Sequence, residues 1–290
     1  MRAEERTVDF DGRTLRYLAA GEGPPLLLLH GAGDSSFAWS WVLPELAGGY
    51  RVYAPTLPGI GDGTRLSDRS STAYASLISG FMDALGIERA ALIGNSLGGL
   101  IGLRLSLSDP ARVGALGLVD STGLGREINP AFNSVNVPGL GEAAIPWWRT
   151  PAGVCQRAWG RAAMLFARPA NAPQEWLAEQ QRLALLPDHL EAHLAALRAH
   201  IYPGGQREVL GDRLHRLQVP TLVLWGARDR VLPAYQARRA GARLPRGRLE
   251  IIPECGHLPH IECPGDFMGV VGRFLKENYA VDISEIKEQR

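Results

Sequence analysis

Four short runs in this chain are apolar almost from end to end: "LLLL" in "PPLLLLHGAG", then "RAALIGNS", "VGALGLVDS" and "VPTLVLWGARD". A strand with one wet face alternates apolar and polar residues, whereas a strand covered on both faces reads as a continuous apolar run. Each run also stops at glycine or a polar residue, as a buried strand does where it emerges into a loop. Segments with helical spacing lie between them. "STAYASLISGFMDALGI" repeats apolar residues along one helix face, opens on hydroxyl residues suited to N-capping and meets Gly86 near its end. "SFAWSWVLPELAGG" reads as a further helix, stopped at Gly48-Gly49. Alternating strands and helices imply right-handed crossovers and a doubly wound, mostly parallel α/β sheet. Ahead of it, "ERTVDFDGRTLRYLAAGEG" reads as two strands about an Asp11-Gly12 turn.

The rhythm breaks after Thr122. From Gly123 to Gly211 no strand pattern is evident, and several helical segments follow a Gly/Pro/Asn-rich stretch. The clearest helix places Leu190, Leu194, Leu197 and Ile201 on one face. Strand and helix patterns then resume. The chain therefore divides into a first core part, 1–122, an inserted helical cap, 123–211, and a second core part, 212–290, with a charged tail "VDISEIKEQR" at the periphery.

The 290 residues carry a formal net charge of +1, so no global field favours nucleic acid or an anionic membrane surface. No apolar run approaches membrane-spanning length, and the first residues lack a signal-peptide core. The expectation is a cytoplasmic protein with a small-molecule substrate and no nucleic-acid or membrane partner, its oligomeric state open and a homodimer among the options. Cys155, Cys255 and Cys263 cannot all pair and lack zinc-type spacing, which suits reduced thiols. "LPGIGDG" has no P-loop lysine and opens no dinucleotide fingerprint, so no cofactor is expected.

Chemistry concentrates at Gly94-Asn95-Ser96-Leu97-Gly98, a G-x-S-x-G match where a buried strand hands over to a helix. A sharp turn there lifts the serine hydroxyl above the strand ends. The following helix directs its N-terminal amides at the same point, favouring developing negative charge. A serine needs a base, and the base an orienting group. His257 follows the last strand and Asp229 the one before it, so both emerge at the carboxyl edge, where open parallel sheets bind ligands. His260 competes as the base and Asp120, at the end of "LGLVD", as the orienter. The backbone N–H groups of Leu97 and Ala32 are the expected oxyanion donors, with Gly33 as substitute for Ala32. His30 reads as a brace for that loop.

Together, "LLHGAG", "LPGIGDG", "GNSLGG", "WGARDRVLP" and "CGHLPHIECP" resemble the α/β-hydrolase superfamily over nearly the whole chain. The resemblance implies Ser96 as nucleophile, His257 as base and Asp229 as orienter beneath a cap. "GNSLGG" followed by "VDSTGLG" looks like the meta-cleavage-product hydrolases, which cleave carbon–carbon bonds in vinylogous diketo acids. That group carries a tryptophan after the catalytic histidine, where this chain has Leu258, and a cap arginine for the substrate carboxylate, for which Arg182 is a counterpart. "GHLPHIECP" is similar to generic carboxylesterases.

In the cap, Trp147, Trp148 and Trp159 are candidates for an apolar substrate pocket with Asn95 beside the serine, although a small helical unit also needs bulky residues for its own core. His189 and His193 stand four apart on a helix, with no H-E-x-x-H motif and no third ligand, and read as a solvated face. The expected activity is cofactor-independent hydrolysis of a small, largely apolar carboxylic ester through an acyl-enzyme. The alternatives are carbon–carbon bond hydrolysis and a non-hydrolytic ligand-binding or lyase role on the same fold.

Overall fold

The computed structural model of the chain describes residues 3–59 and 66–279; part of "LPGIGDG" and the charged tail lie outside the described residues. Ten strands occur among them: β1 (Glu4–Phe10), β2 (Arg13–Ala20), β3 (Pro25–Leu29), β4 (Arg51–Pro55), β5 (Ala90–Asn95), β6 (Val113–Val119), β7 (Ile201–Tyr202), β8 (Gly205–Gln206), β9 (Thr221–Gly226) and β10 (Gly247–Ile252). Eight of them form one sheet in the order β1-β2-β4-β3-β5-β6-β9-β10. The β1–β2 and β2–β4 pairs are antiparallel, and every later pair is parallel. This is an α/β-hydrolase fold with the doubly wound, mostly parallel sheet that the apolar runs imply.

Each apolar run is divided between two cores. Leu27 and Leu29 of β3 and Leu92 of β5 join a cluster on one face of the sheet. Leu26, Leu28, Ala91 and Ile93 join a second cluster on the other face. Successive side chains of a strand point to opposite faces, so a run of four leucines feeds both layers equally. Burying each leucine contributes about 2 kcal/mol before chain entropy is counted.

The α-helices are α1 (Leu43–Leu46), α2 (Ser71–Ala84), α3 (Leu97–Ser108), α4 (Leu140–Trp148), α5 (Pro151–Leu165), α6 (Gln174–Leu185), α7 (His189–His200), α8 (Tyr235–Gly241), α9 (Pro259–Glu262) and α10 (Pro264–Asn278). The Ser70 hydroxyl accepts the Ala73 N–H and caps α2. Two sequence expectations differ from the fold. "SFAWSWVLPELAGG" forms a 3-10 turn, Ser36–Trp39, and then the single turn α1, because Pro44 starts a new helix instead of extending the first. The excursion between β6 and β9 carries α4 to α7 but also a two-residue hairpin, β7–β8, paired Ile201 with Gln206. That hairpin is too short to leave a period-2 signal in the sequence. Among the described residues no helix is long and apolar enough to cross a membrane.

Candidate active site

β5 ends at Asn95 and α3 begins at Leu97, so Ser96 alone makes the turn between strand and helix. Its φ of 52° is a left-handed conformation that serine rarely adopts. Such strain costs about 1–3 kcal/mol and persists only where surrounding bonds hold it. Here the Ser96 N–H donates to Val119 O at 2.9 Å, and its carbonyl accepts the N–H groups of Gly99 and Thr122. Glycine is obligatory on both sides. A Cβ on Gly94 would stand 2.3 Å from Gly98 O, and one on Gly98 would stand 2.1 Å from Leu29 O.

Asp229 and His257 leave β9 and β10 at the same edge. His257 Nδ1 lies 2.8 Å from Asp229 Oδ2, and both side chains are buried. Asp229 Oδ1 accepts the N–H groups of Val231 and Leu232, at 2.7 and 3.1 Å, so its carboxylate meets three donors. The His257 loop is pinned from outside the core: its N–H donates to Leu165 O at the end of α5. Ser96, Leu97, Ala32 and His257 line one cavity with Ile128, Phe132 and Leu165. Among the described residues no backbone carbonyl takes the N–H of Ala32 or of Leu97. Two unengaged donors beside a serine hydroxyl are what a developing oxyanion requires.

His30 braces this loop. Its Nε2 accepts the Leu57 N–H at 2.9 Å and its Nδ1 lies 2.8 Å from Gly31 O, which fixes a single neutral tautomer. Burial pushes its pKa down to about 4. His260 is buried on the far side, stacked on Trp39 at 4.3 Å, and lies away from the cavity. Asp120 does not reach the histidine's Nδ1, which Asp229 occupies; it stands behind that pair.

The helical excursion rearranges several expectations. Asn95 borders the cavity, but its amide donates to His257 O at 3.0 Å and Val119 O at 3.2 Å. It holds the histidine loop to the elbow, and its two N–H groups are spent there. Trp147 and Trp159 are 50% and 45% exposed, and neither lines the Ser96 cavity. Trp148 borders an adjoining apolar chamber, and Trp176 is buried against Phe166. The reason is helix rotation. Arg157, Arg161 and Leu165 share one face of α5 at four-residue spacing and turn it inward; Trp159, two residues from Arg157, points elsewhere. Arg182 pairs with Glu179 at 2.6 Å and borders a separate surface cleft. His189 and His193 are not solvated: His189 is fully buried, the two rings stack at 6.2 Å, and His193 lines the Ser96 cavity.

Residue types passed over in the sequence take their place. Arg161 borders the cavity, with its Nη2 at 3.5 Å from Ala32 O. Arg157 is 8% exposed, and among the described residues neither of its Nη atoms has a partner. Burial, and then the charge of Arg161, lowers the Arg157 pKa to about 9. Asp34 accepts from Gln180 at 3.0 Å, and its burial raises its carboxyl to about 6 against the pull of Arg161. Four-residue spacing puts Arg157, Arg161 and Leu165 on one face of α5, but arginine at that spacing reads as a solvated face, so the sequence carries no signal that this face turns inward. The cavity near Ser96 holds about 80 Å³ and the adjoining chamber about 500 Å³; Arg161, Leu165, His193 and Leu197 border both.

Comparison with known proteins identifies the family and the fold. The profile of the alpha/beta hydrolase family matches residues 26–269. A 2-hydroxymuconate semialdehyde hydrolase from a Pseudomonas species is 32% identical over 91% of this chain and 91% of its own length. A solved serine hydrolase involved in carbazole degradation is 27% identical, covering 95% of this chain and 99% of that one, with a TM-score of 0.78. The naproxen esterase of Bacillus subtilis superimposes with a TM-score of 0.71 over 94% of this chain and 92% of its own; at 23% identity that likeness speaks for the fold alone.

Proposed function

Because the chain belongs to the alpha/beta hydrolase family, we propose that it is a cofactor-independent serine hydrolase cleaving a small, largely apolar carboxylic ester through an acyl-enzyme. The observation that carries the reading is the strained Ser96 elbow sharing a cavity with the His257–Asp229 pair. Ser96 Oγ attacks the carbonyl carbon while His257 Nε2 takes its proton. The N–H groups of Leu97 and Ala32 receive the oxyanion, and His257 passes the proton to the departing alcohol. Water, deprotonated by the same nitrogen, then attacks the acyl-enzyme and releases the acid and Ser96. Asp229 holds the imidazole in the tautomer that leaves Nε2 free and offsets the imidazolium charge. The narrow space at Ser96 suits a short acyl group, and the larger apolar chamber suits the other limb of the substrate.

Turnover of p-nitrophenyl esters of graded chain length, with folded Ser96→Ala as the blank, tests this. Loss of activity by about 10⁴-fold or more is expected. Wild-type turnover by the folded variant would falsify the mechanism.

Arg157 and Arg161 favour a second reading. The buried guanidinium of Arg157 and the partly buried one of Arg161 face the Asp34 carboxyl, while Glu208, the other carboxyl at the cavity, is paired with Arg104. The surplus positive charge between cavity and chamber suits a substrate carrying an acid group. Carbon–carbon hydrolysis of a vinylogous diketo acid fits that charge, and the relative named as a 2-hydroxymuconate semialdehyde hydrolase points the same way. A kcat/KM for such an acid about 100-fold above that for the best neutral ester would install it over ester cleavage.

A further inference from the structure

We propose that Asp120 is a positioning residue, a protonated carboxylic acid that stands behind the Ser96–His257–Asp229 set and donates a hydrogen bond from its own O–H to Asp229. The inference rests on the hydrolase reading above for its effect on rate, and on geometry for its chemistry. β6 ends at Val119, and Asp120 turns out of the strand with a φ of 43°, its N–H donating to Leu224 O at 3.0 Å. The residue is completely buried. One carboxyl oxygen, Oδ1, accepts the Gly226 N–H at 2.9 Å. No donor reaches the other, Oδ2, among the described residues. The side chain faces Asp229, and carboxyl or ring atoms of Asp120, Asp229 and His257 all lie within 4.8 Å of one another.

Two buried carboxylates at this separation cannot both be ionised without a large penalty, so one holds a proton. The donors decide which. Asp229 receives two backbone N–H groups and the histidine, all of which favour its charged form; Asp120 receives one backbone N–H. The proton therefore belongs on Asp120 Oδ2, the oxygen that no donor reaches, and Oδ1 stays free to accept from Gly226. Burial, and then the charge of Asp229, holds the Asp120 carboxyl well above the usual carboxylate range. The other ionisable groups near it are Cys263 and Cys255, whose thiols burial keeps neutral.

The consequence reaches His257 through Asp229. A hydrogen bond from Asp120 draws charge from the Asp229 carboxylate, so Asp229 stabilises the imidazolium less than a carboxylate without that donor would. It also fixes the carboxylate's rotation, which the two backbone donors grip only at Oδ1.

The test uses Asp120→Asn and Asp120→Ala. Asparagine can still accept from Gly226 and donate to Asp229, so the acid limb of kcat/KM on p-nitrophenyl butyrate, and the His257 imidazole titration by NMR, should keep the wild-type midpoint. Alanine removes the donor, and both midpoints should rise by about half a pH unit or more. The infrared difference between wild type and Asp120→Asn should contain the carbonyl stretch of a neutral carboxylic acid. A lower midpoint in Asp120→Asn would mean that a negative charge had been removed, and the proposal fails. Absence of the neutral-acid band also overturns it, as does an unmoved midpoint in folded Asp120→Ala. If Asp120→Ala does not fold, the asparagine variant and the infrared band still decide. The NMR and infrared readouts need no turnover, so failure of the hydrolase reading, seen with Ser96→Ala, is distinguishable from failure here.

Discussion

The carboxyl edge of the sheet and the helical excursion above it are built from the same kinds of residue, yet they constrain chemistry in different ways. At the sheet edge, Ser96, Asp120, Asp229 and His257 each follow a strand whose neighbours fix it in register. Their positions are properties of the backbone. In the excursion, Arg157, Arg161, His189 and His193 face inward because helices α5 and α7 happen to be rotated that way against the core. A one-residue change of register at the edge would break the sheet, whereas about half a turn of α5 about its own axis would put Trp159 where Arg157 and Arg161 now face. In the proposed reaction, loops at the edge carry the bond-breaking chemistry, and the inward faces of the helices decide what lies next to it.

The largest expected effect breaks the edge itself. Gly98→Ala would put a Cβ 2.1 Å from Leu29 O and 2.8 Å from His30 O, both backbone atoms that cannot swing away. A loss of about 3 kcal/mol or more is expected in urea unfolding, with turnover falling alongside, because the strand end that yields also carries the Ala32 loop. Gly269→Ala in α10 is the matched control: nothing lies within 4 Å of its added Cβ, and the variant should be slightly more stable. Equal behaviour of the two variants would mean that close approach does not govern the elbow.

A smaller effect sharpens the division of labour between the two regions. Arg161→Met keeps the length of the side chain and removes its charge. If the cationic space receives an acid group, kcat/KM for a carboxylate-bearing substrate should fall about 10- to 100-fold, the worth of one buried charged hydrogen bond. A neutral p-nitrophenyl ester should change by no more than about threefold. Equal losses on both substrates would assign Arg161 to holding the Ala32 loop, to which its Nη2 already reaches, and would leave the anionic substrate without support.

What was legible in the sequence follows the same division. The apolar runs mark buried strands, and a strand end fixes the residue that follows it, so Ser96, Asp229 and His257 could be placed at one edge, with Asp120 and His260 as competitors that position alone does not exclude. The neighbours of those residues were less legible. Asn95 looked like a substrate contact because it adjoins Ser96, but an amide at the last position of β5 lies opposite two carbonyls that need donors. In the excursion, bulk and aromaticity suggested the tryptophans, while the helix face that turns inward is marked by Arg157, Arg161 and Leu165. Arginine at helical spacing usually marks a solvated face. Only the packing of α5 over the Ala32 loop reverses that reading, and no local pattern encodes it.

The smallest expected effect tests that reversal directly. Trp159 is the tryptophan on the outward side of the helix that carries Arg157 and Arg161, and it is 45% exposed. Trp159→Ala should cost less than about 1 kcal/mol and leave kcat/KM on a p-nitrophenyl ester within about twofold, since no cavity is opened. Trp176→Ala, on α6, removes an indole that is fully buried and set edge-on to Phe166 at 5.0 Å. It should cost about 3–5 kcal/mol. Paired urea titrations and ester kinetics on the two variants read both quantities. A strong loss of activity with little loss of stability in Trp159→Ala would mean that α5 presents its other face to substrate during turnover.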